Sequence, residues 1–289
     1  MKPLHCLVRL TCIALASTYA LNGIAPTHAD STATSTPTPA TLQGLGIVPS
    51  NSPMAGPPVY TQQQLVEHAQ RRDAGRVLAE QGRAANTISI TPNDQPGSYS
   101  GLSRAVGVGA YPEPNHSPYA NYCGPGASQV LISNWVAPSN VPTIDTLATQ
   151  EQTSQSNGTY VSNMVNPINN DANTGSFYLS AGGAASQADF NDDIAGDIYY
   201  GGRPAITQLN LYGTYNNQQI YLNGWSPKIT FPHIITIYGF NFSNPPSAGD
   251  NYYYMETSGT YAGTTATGTN TYGANKLWAL VQGSNVQLW

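Results

Sequence analysis

Charge is scarce in this sequence: Lys and Arg total 10, and Asp and Glu 15, among 289 residues, for a formal net charge of −5. So few cations cannot form the basic patch that tracks a phosphate backbone, and nucleic acid is not expected as a partner. Long apolar runs are missing as well. The longest, residues 10–21, falls short of the roughly 20 apolar residues that a membrane-spanning helix needs. No repeat of solenoid length occurs, which excludes the repeat architectures. Cysteine is rare, with three in the chain, and two of these (Cys6 and Cys12) lie close to the N-terminus.

The run at 10–21 follows Met1, Lys2 and Arg9 and precedes Thr27-His28-Ala29, which offers small residues where a signal peptidase inspects the chain. Residues 1–29 therefore read as a secretory signal with cleavage after Ala29, giving a secreted (extracellular or periplasmic) protein with no membrane attachment. The competing reading, a membrane anchor, is disfavoured by length, and no cysteine sits at the cleavage point for a lipid anchor. Processing removes Lys2 and Arg9, taking the formal charge from −5 to −7. It also leaves Cys123 as the one cysteine, so an internal disulfide is excluded. That thiol must pair between chains, stay buried, or react.

What the chain has in plenty is Gly (28), Pro (22) and Tyr (19), with much Ser, Thr and Asn. Residues 30–60 are Ser/Thr/Pro-rich and read as a flexible linker. Residues 61–96 form a charged helix and linker. The helix, over 61–85, carries Arg71, Arg72, Arg76 and Arg83 with Glu67, Asp73 and Glu80. It reads as a solvated tether, or as a pro-segment lying over a cleft. Residues 97–289 hold the domain proper. After a loop-like 87–120 with a β-prone piece at 88–91, short helices are expected from Cys123 towards Pro138, over 141–148 with Thr143 as N-cap, and over 160–168. A turn is expected at Asn157-Gly158-Thr159 and a strand at 177–179. Residues 188–198 read as an acidic helix. Strands are then expected over 204–211, 229–242, 252–257 and 276–282, with a low-complexity loop at 261–273. Helices followed by an antiparallel sheet give an α+β domain.

The stretch Asn121-Tyr122-Cys123-Gly124-Pro125-Gly126-Ala127 carries a cysteine into the start of a helix. Pro is tolerated in a first helical turn, where its missing N–H costs nothing. A helix N-terminus presents unpaired N–H groups and the positive end of the macrodipole, which favour thiolate, the nucleophilic form. The competing reading is a small buried cysteine that merely packs. A nucleophilic thiolate needs an imidazole. After processing three histidines remain: His68 in the charged helix, which reads as a surface residue, His116 in a Pro-rich loop, and His233 at the head of Ile234-Ile235-Thr236-Ile237.

These features together resemble the papain-like cysteine peptidases, in particular the bacteriocin-processing, double-glycine-leader branch and its secreted relatives. The resemblance covers roughly residues 111–281. It rests on Tyr122-Cys123-Gly124-Pro125-Gly126-Ala127, Gly201-Gly202-Arg203-Pro204-Ala205-Ile206, Pro232-His233-Ile234-Ile235-Thr236-Ile237-Tyr238-Gly239-Phe240-Asn241, and Tyr252-Tyr253-Tyr254-Met255-Glu256-Thr257. It implies a papain-like fold, with the nucleophile helix packed on the C-terminal sheet. It also implies hydrolysis of a protein or peptide, cell-wall peptides included, through Cys123 and His233 without a cofactor. The residue that orients the imidazole in that family matches Glu256 here, with Asn241 and Asp250 as alternatives. Gly201 and Gly202 would line the substrate cleft. The family's oxyanion Gln is absent, because Pro118 and Ser117 occupy the two usual positions; Asn121, with Asn115 and His116 as alternatives, is the substitute. A catalytically weak binding or surface module on the same fold, and an acyltransferase, are the competing functions.

Two further patterns carry less. Asn157-Gly158-Thr159 and Asn241-Phe242-Ser243 match the glycosylation motif, which recurs by chance. Asp189, Asp192, Asp193 and Asp197 are spaced for an acidic helix face rather than for a converging calcium loop, so no metal is expected.

Overall fold

The computed structural model describes residues 61–85 and 99–289, except 176, 183, 230, 244–246, 283 and 285. The signal sequence, the 30–60 linker and the β-prone piece at 88–91 lie outside the described residues. In chain order the helices are α1 (Gln62–Ala85), α2 (Cys123–Ile132), α3 (Ile144–Gln150), α4 (Val161–Asp171), α5 (Gln187–Gly196) and α6 (Ala274–Val281). The strands are β1 (Ser103–Ala105), β2 (Ser180–Gly182), β3 (Ala205–Asn210), β4 (Tyr212–Tyr215), β5 (Gln218–Tyr221), β6 (Pro232–Asn241), β7 (Asn251–Glu256), β8 (Gly268–Gly273) and β9 (Val286–Leu288). The protein is a mixed α+β structure with antiparallel sheets.

The main sheet runs β2-β9-β3-β6-β7-β8, and β1 pairs with the far end of β6. Strand β6 is its backbone. Ile234 belongs to one apolar core, together with α2, α4 and Leu288. Ile235, Ile237 and Phe240 belong to a second, with α5 and α6. A strand covered on both faces reads as a continuous apolar run rather than an alternation, which is the character of Ile234-Ile235-Thr236-Ile237. Register places Leu209 opposite His233 and Gln208 opposite Ile234. On the other side, Thr236 lies opposite Met255, one residue short of Glu256.

Helix α2 is buried along its whole length, as expected of a helix apolar or small on every side. Its two early glycines are demanded by contact. A Cβ on Gly124 would lie 2.4 Å from Thr159, and one on Gly126 would lie 2.6 Å from the Thr257 hydroxyl. The Thr236 hydroxyl donates to the Ala127 carbonyl at 2.8 Å, fixing the helix to β6. Helix α3 starts on Thr143, whose hydroxyl accepts from the Thr146 N–H at 3.2 Å. Its C-cap, Glu151, is fully buried, and burial raises its pKa to about 8, with the Ser128 hydroxyl opposing and Asp171 adding to the rise.

Several expectations are corrected. Residues 276–281 fall in helix α6, not a strand, with Gln282 as its C-cap: Ala274, Leu277, Leu280 and Val281 are the buried set, at helical spacing. A short apolar run does not reveal its period without its neighbours. Residues 268–273 of the supposed low-complexity loop form β8, an edge strand whose exposed Thr269 and Thr271 alternate with less exposed residues. Asn216 and Asn217 both take positive φ (52 and 61) and close the β4–β5 hairpin, the turn that matches strand twist. Strand structure begins at Ser180 rather than over 177–179, and α2 ends at Ile132.

The acidic face of α5 is not solvated. Asp192, Asp193 and Asp197 are buried. Helix α1 covers this region, with Arg72 at 3.6 Å from Asp193 and 3.7 Å from Asp189, and Arg71 at 3.5 Å from Asp197. His68 is likewise buried rather than on the surface. Its Nε2 lies 2.8 Å from the Trp289 carbonyl and its ring stacks on Trp289, and burial together with Arg71 lowers its pKa to about 3. The described contacts of α1 include α5, the turn at Asp197–Gly201, Phe177 and Trp289, and no residue of α1 lines the cavity beside Cys123. Among the described residues no helix is long and apolar enough to cross a membrane.

Candidate functional site

Cys123 is the first residue of α2, behind a short 3-10 turn at Tyr119–Asn121. Its backbone N–H is therefore among the first-turn donors that a helix leaves without an internal partner, and Pro125 sits within the same turn. Cys123 is a free cysteine, 7% exposed as a residue, and lines a cavity of about 330 Å³. The far walls of that cavity are the turn at 156–160 and the segment around His233, with Gln208, Phe231 and Ile234 prominent. None of its lining side chains carries a charge.

His233 is fully buried at the start of β6. Its Nε2 lies 2.9 Å from both carboxylate oxygens of Glu256. The same carboxylate accepts the Trp225 indole N–H at 2.9 Å and the Ser258 backbone N–H at 3.0 Å. Trp225 also covers the imidazole, with ring centroids 4.7 Å apart. Nδ1 meets no group in ideal hydrogen-bond geometry, and the remaining polar group acting on the ring is the Cys123 thiol. Burial alone would lower the imidazole pKa. The Glu256 charge and hydrogen bond, together with the Cys123 hydrogen bond and charge, outweigh it and raise the pKa well above the usual value. Both the Glu256 carboxylate and the Cys123 sulfur favour a proton on this ring, an arrangement suited to stabilising thiolate and to protonating a leaving group.

Of the three residues considered for orienting the ring, Glu256 is the one brought to it. Asn241 ends β6 eight residues beyond His233, about 26 Å away along a strand. Asp250 is buried rather than in an exposed turn, and its carboxylate closes a turn by accepting the Ser243 N–H at 2.7 Å and the Ser247 N–H at 3.3 Å.

The oxyanion expectation fares differently. Asn121 does line the cavity, but its side-chain amide donates to the Gln155 carbonyl. Asn115 donates to the Thr260 hydroxyl at 2.7 Å and accepts from the Tyr261 N–H, while His116 Nδ1 is engaged by the Ser117 carbonyl at 2.7 Å. All three candidate donors are committed to loop geometry. Gly201 and Gly202 are also corrected, since neither lines the cavity. They end the π-helical turn Asp197–Gly201 that follows α5, where Gly202 is the left-handed cap (φ 65) that turns the chain into β3. Glycine is there for that conformation.

Three contributors were not apparent in the sequence. Trp225 sits in the loop after β5, and nothing local marks an indole as a carboxylate partner. Ser258 acts through its backbone. Glu113 lies in a Pro-rich loop ten residues before the cysteine, yet its carboxyl is buried beside Thr257 and Ser258. A lone charged residue within 106–122 was the one available signal. Among the described residues, no group of three or more His, Cys, Asp or Glu is arranged to hold a metal ion. The chain matches no protein-family model, and a search of curated proteins finds no relative.

Proposed function

We propose that this chain is an exported papain-like cysteine peptidase that hydrolyses peptide bonds through a thioester on Cys123. The observation that carries the reading is the buried His233 ring, bonded through Nε2 at 2.9 Å to Glu256, with the Cys123 thiol among the groups that raise its proton affinity. The Cys123 sulfur adds to the substrate carbonyl, with the Cys123 backbone N–H as one donor to the oxyanion. The C–N bond breaks as His233 passes its proton to the leaving amine. Water then gives a proton to His233 and its oxygen to the thioester, releasing the acid and restoring the thiolate–imidazolium pair. The uncharged walls of the cavity favour an uncharged side chain beside the scissile bond, because a charge there would be desolvated without a partner.

A second reading, a binding module or a slow enzyme on the same fold, is favoured by the engagement of Asn121 with Gln155. Loss of one oxyanion donor typically lowers turnover about 100- to 1000-fold. The test is incubation of residues 30–289 with a mixed library of synthetic peptides, with products identified by mass spectrometry. Cleavage beside neutral residues, absent in Cys123→Ala, is the expected result. An intact library would overturn the peptidase reading in favour of the binding module. Products joined to an added primary amine, in place of free acids, would point to acyl transfer.

A further inference from the structure

We propose that Glu113 is a positioning residue of the Cys123 site, acting on Glu256 and His233 through the Thr257–Ser258 segment. The inference rests on the peptidase reading for its functional meaning, but its geometry is independent of any substrate.

Glu113 is a buried carboxyl held by the two residues that follow Glu256. Its Oε1 accepts the Ser258 hydroxyl at 2.7 Å and the Thr257 hydroxyl at 2.9 Å, and its backbone N–H donates to the Thr257 carbonyl at 2.8 Å. Ser258 in turn gives its backbone N–H to Glu256 Oε1 at 3.0 Å. One continuous chain of bonds therefore runs from Glu113 through Ser258 to the carboxylate that faces His233. The same segment is wedged against the nucleophile helix, since the Thr257 hydroxyl occupies the space that a side chain on Gly126 would need. Displacing Thr257 and Ser258 would move both the Glu256 carboxylate and the first turn of α2.

A purely structural anchor would be served by any acceptor of the right shape, such as the amide of Gln. Glu113 offers more than that. Its Oε2 is buried with no hydrogen-bond partner, and the ionisable groups acting on the carboxyl are His233 from β6 and Glu256 from β7. Burial raises its pKa to about 7, against the hydroxyl bonds from Ser258 and Thr257 and the charge of His233. As pH rises through that value the site gains a further negative charge, which holds the proton on His233 more firmly. Removing the charge lowers the pH at which the imidazolium is lost.

The experiment compares wild type, Glu113→Gln and Glu113→Ala, with the His233 ring titration read by nitrogen NMR of the labelled protein and the Cys123 alkylation rate read over the same pH range. Folding is checked by near-ultraviolet circular dichroism. Glu113→Gln, which keeps the acceptor, is expected to show near-normal alkylation at pH 6, with the loss of the His233 proton shifted to lower pH. Glu113→Ala is expected to slow alkylation about tenfold or more at pH 6, with rescue in the Gln variant. An unchanged His233 titration in folded Glu113→Gln, or alkylation by folded Glu113→Ala equal to wild type, would overturn the proposal. These readouts need no peptide substrate. A shifted titration with no peptide cleavage would uphold Glu113 and sink the peptidase reading, and the reverse pattern would do the opposite.

Discussion

Glu256→Ala is expected to destabilise the fold by about 3–5 kcal/mol, the usual cost of removing one partner of a buried charged pair. The variant strands three buried donors at once: His233 Nε2, the Trp225 indole N–H and the Ser258 backbone N–H. Water is poorly placed to replace them, because Trp225 and His233 pack with ring centroids 4.7 Å apart and both are buried. Glu256→Gln keeps the volume and one acceptor oxygen but loses the charge. It should therefore cost less stability, on the order of 1–2 kcal/mol, while lowering the proton affinity of His233. Equilibrium denaturation in urea measures the first effect, and the pH dependence of peptide turnover the second. A Glu256→Ala variant within 1 kcal/mol of wild type would show that the carboxylate is not the central acceptor of the site.

Glu151→Gln is expected to do the reverse and stabilise the protein, increasingly so as pH rises. Glu151 is fully buried at the end of α3, with a pKa raised to about 8 mainly by burial. In the unfolded chain the same group titrates near its ordinary value of 4.5. Between those two values the folded state holds a proton that the unfolded state has released, so stability falls with rising pH across that window and is level on either side. A gap of this size corresponds to several kcal/mol, about 1.4 for each pH unit. The Gln variant lacks the titration. Its melting temperature should match wild type near pH 4.5 and exceed it near pH 8. Parallel curves for the two proteins would mean that Glu151 is ionised in the folded state.

The sequence was most legible where local chemistry repeats a known pattern. The Thr143 cap, the Asn157-Gly158-Thr159 turn and the apolar run after His233 each announce their structure, because capping, positive φ and burial on two faces act on few residues. It was least legible where a residue's role depends on a distant partner. Leu277, Leu280 and Val281 needed the opposite core to declare a helical period. Asp193 and Asp197 are tolerated inside because Arg71 and Arg72 come from a helix more than a hundred residues earlier. Within the site, Cys123 and His233 stand out as a cysteine at a helix start and a histidine at a strand head, while Glu256 was reached only through the resemblance to the papain-like peptidases. Trp225 and Glu113 could not be proposed, since their contacts with Glu256 and Ser258 cross between loops. The glycines at 201 and 202 show the opposite failure: a pair that suggested substrate approach serves a helix end.

The central claim is that Cys123 and His233 share one proton as a thiolate–imidazolium pair, and it is tested most directly by iodoacetamide alkylation of Cys123 from pH 4 to 9 in wild type and His233→Ala. An ordinary thiol ionises near 8.5, so its reactive fraction at pH 6 is well below one per cent. The proposed pair instead requires labelling at that pH, tempered because an activated thiolate is individually a weaker nucleophile than an ordinary one. The net expectation is labelling about 10- to 100-fold faster than in His233→Ala at pH 6, with the two proteins converging above pH 8.5. Wild-type labelling that rises only near 8.5 and does not respond to His233→Ala would contradict the pair, and with it the peptidase reading.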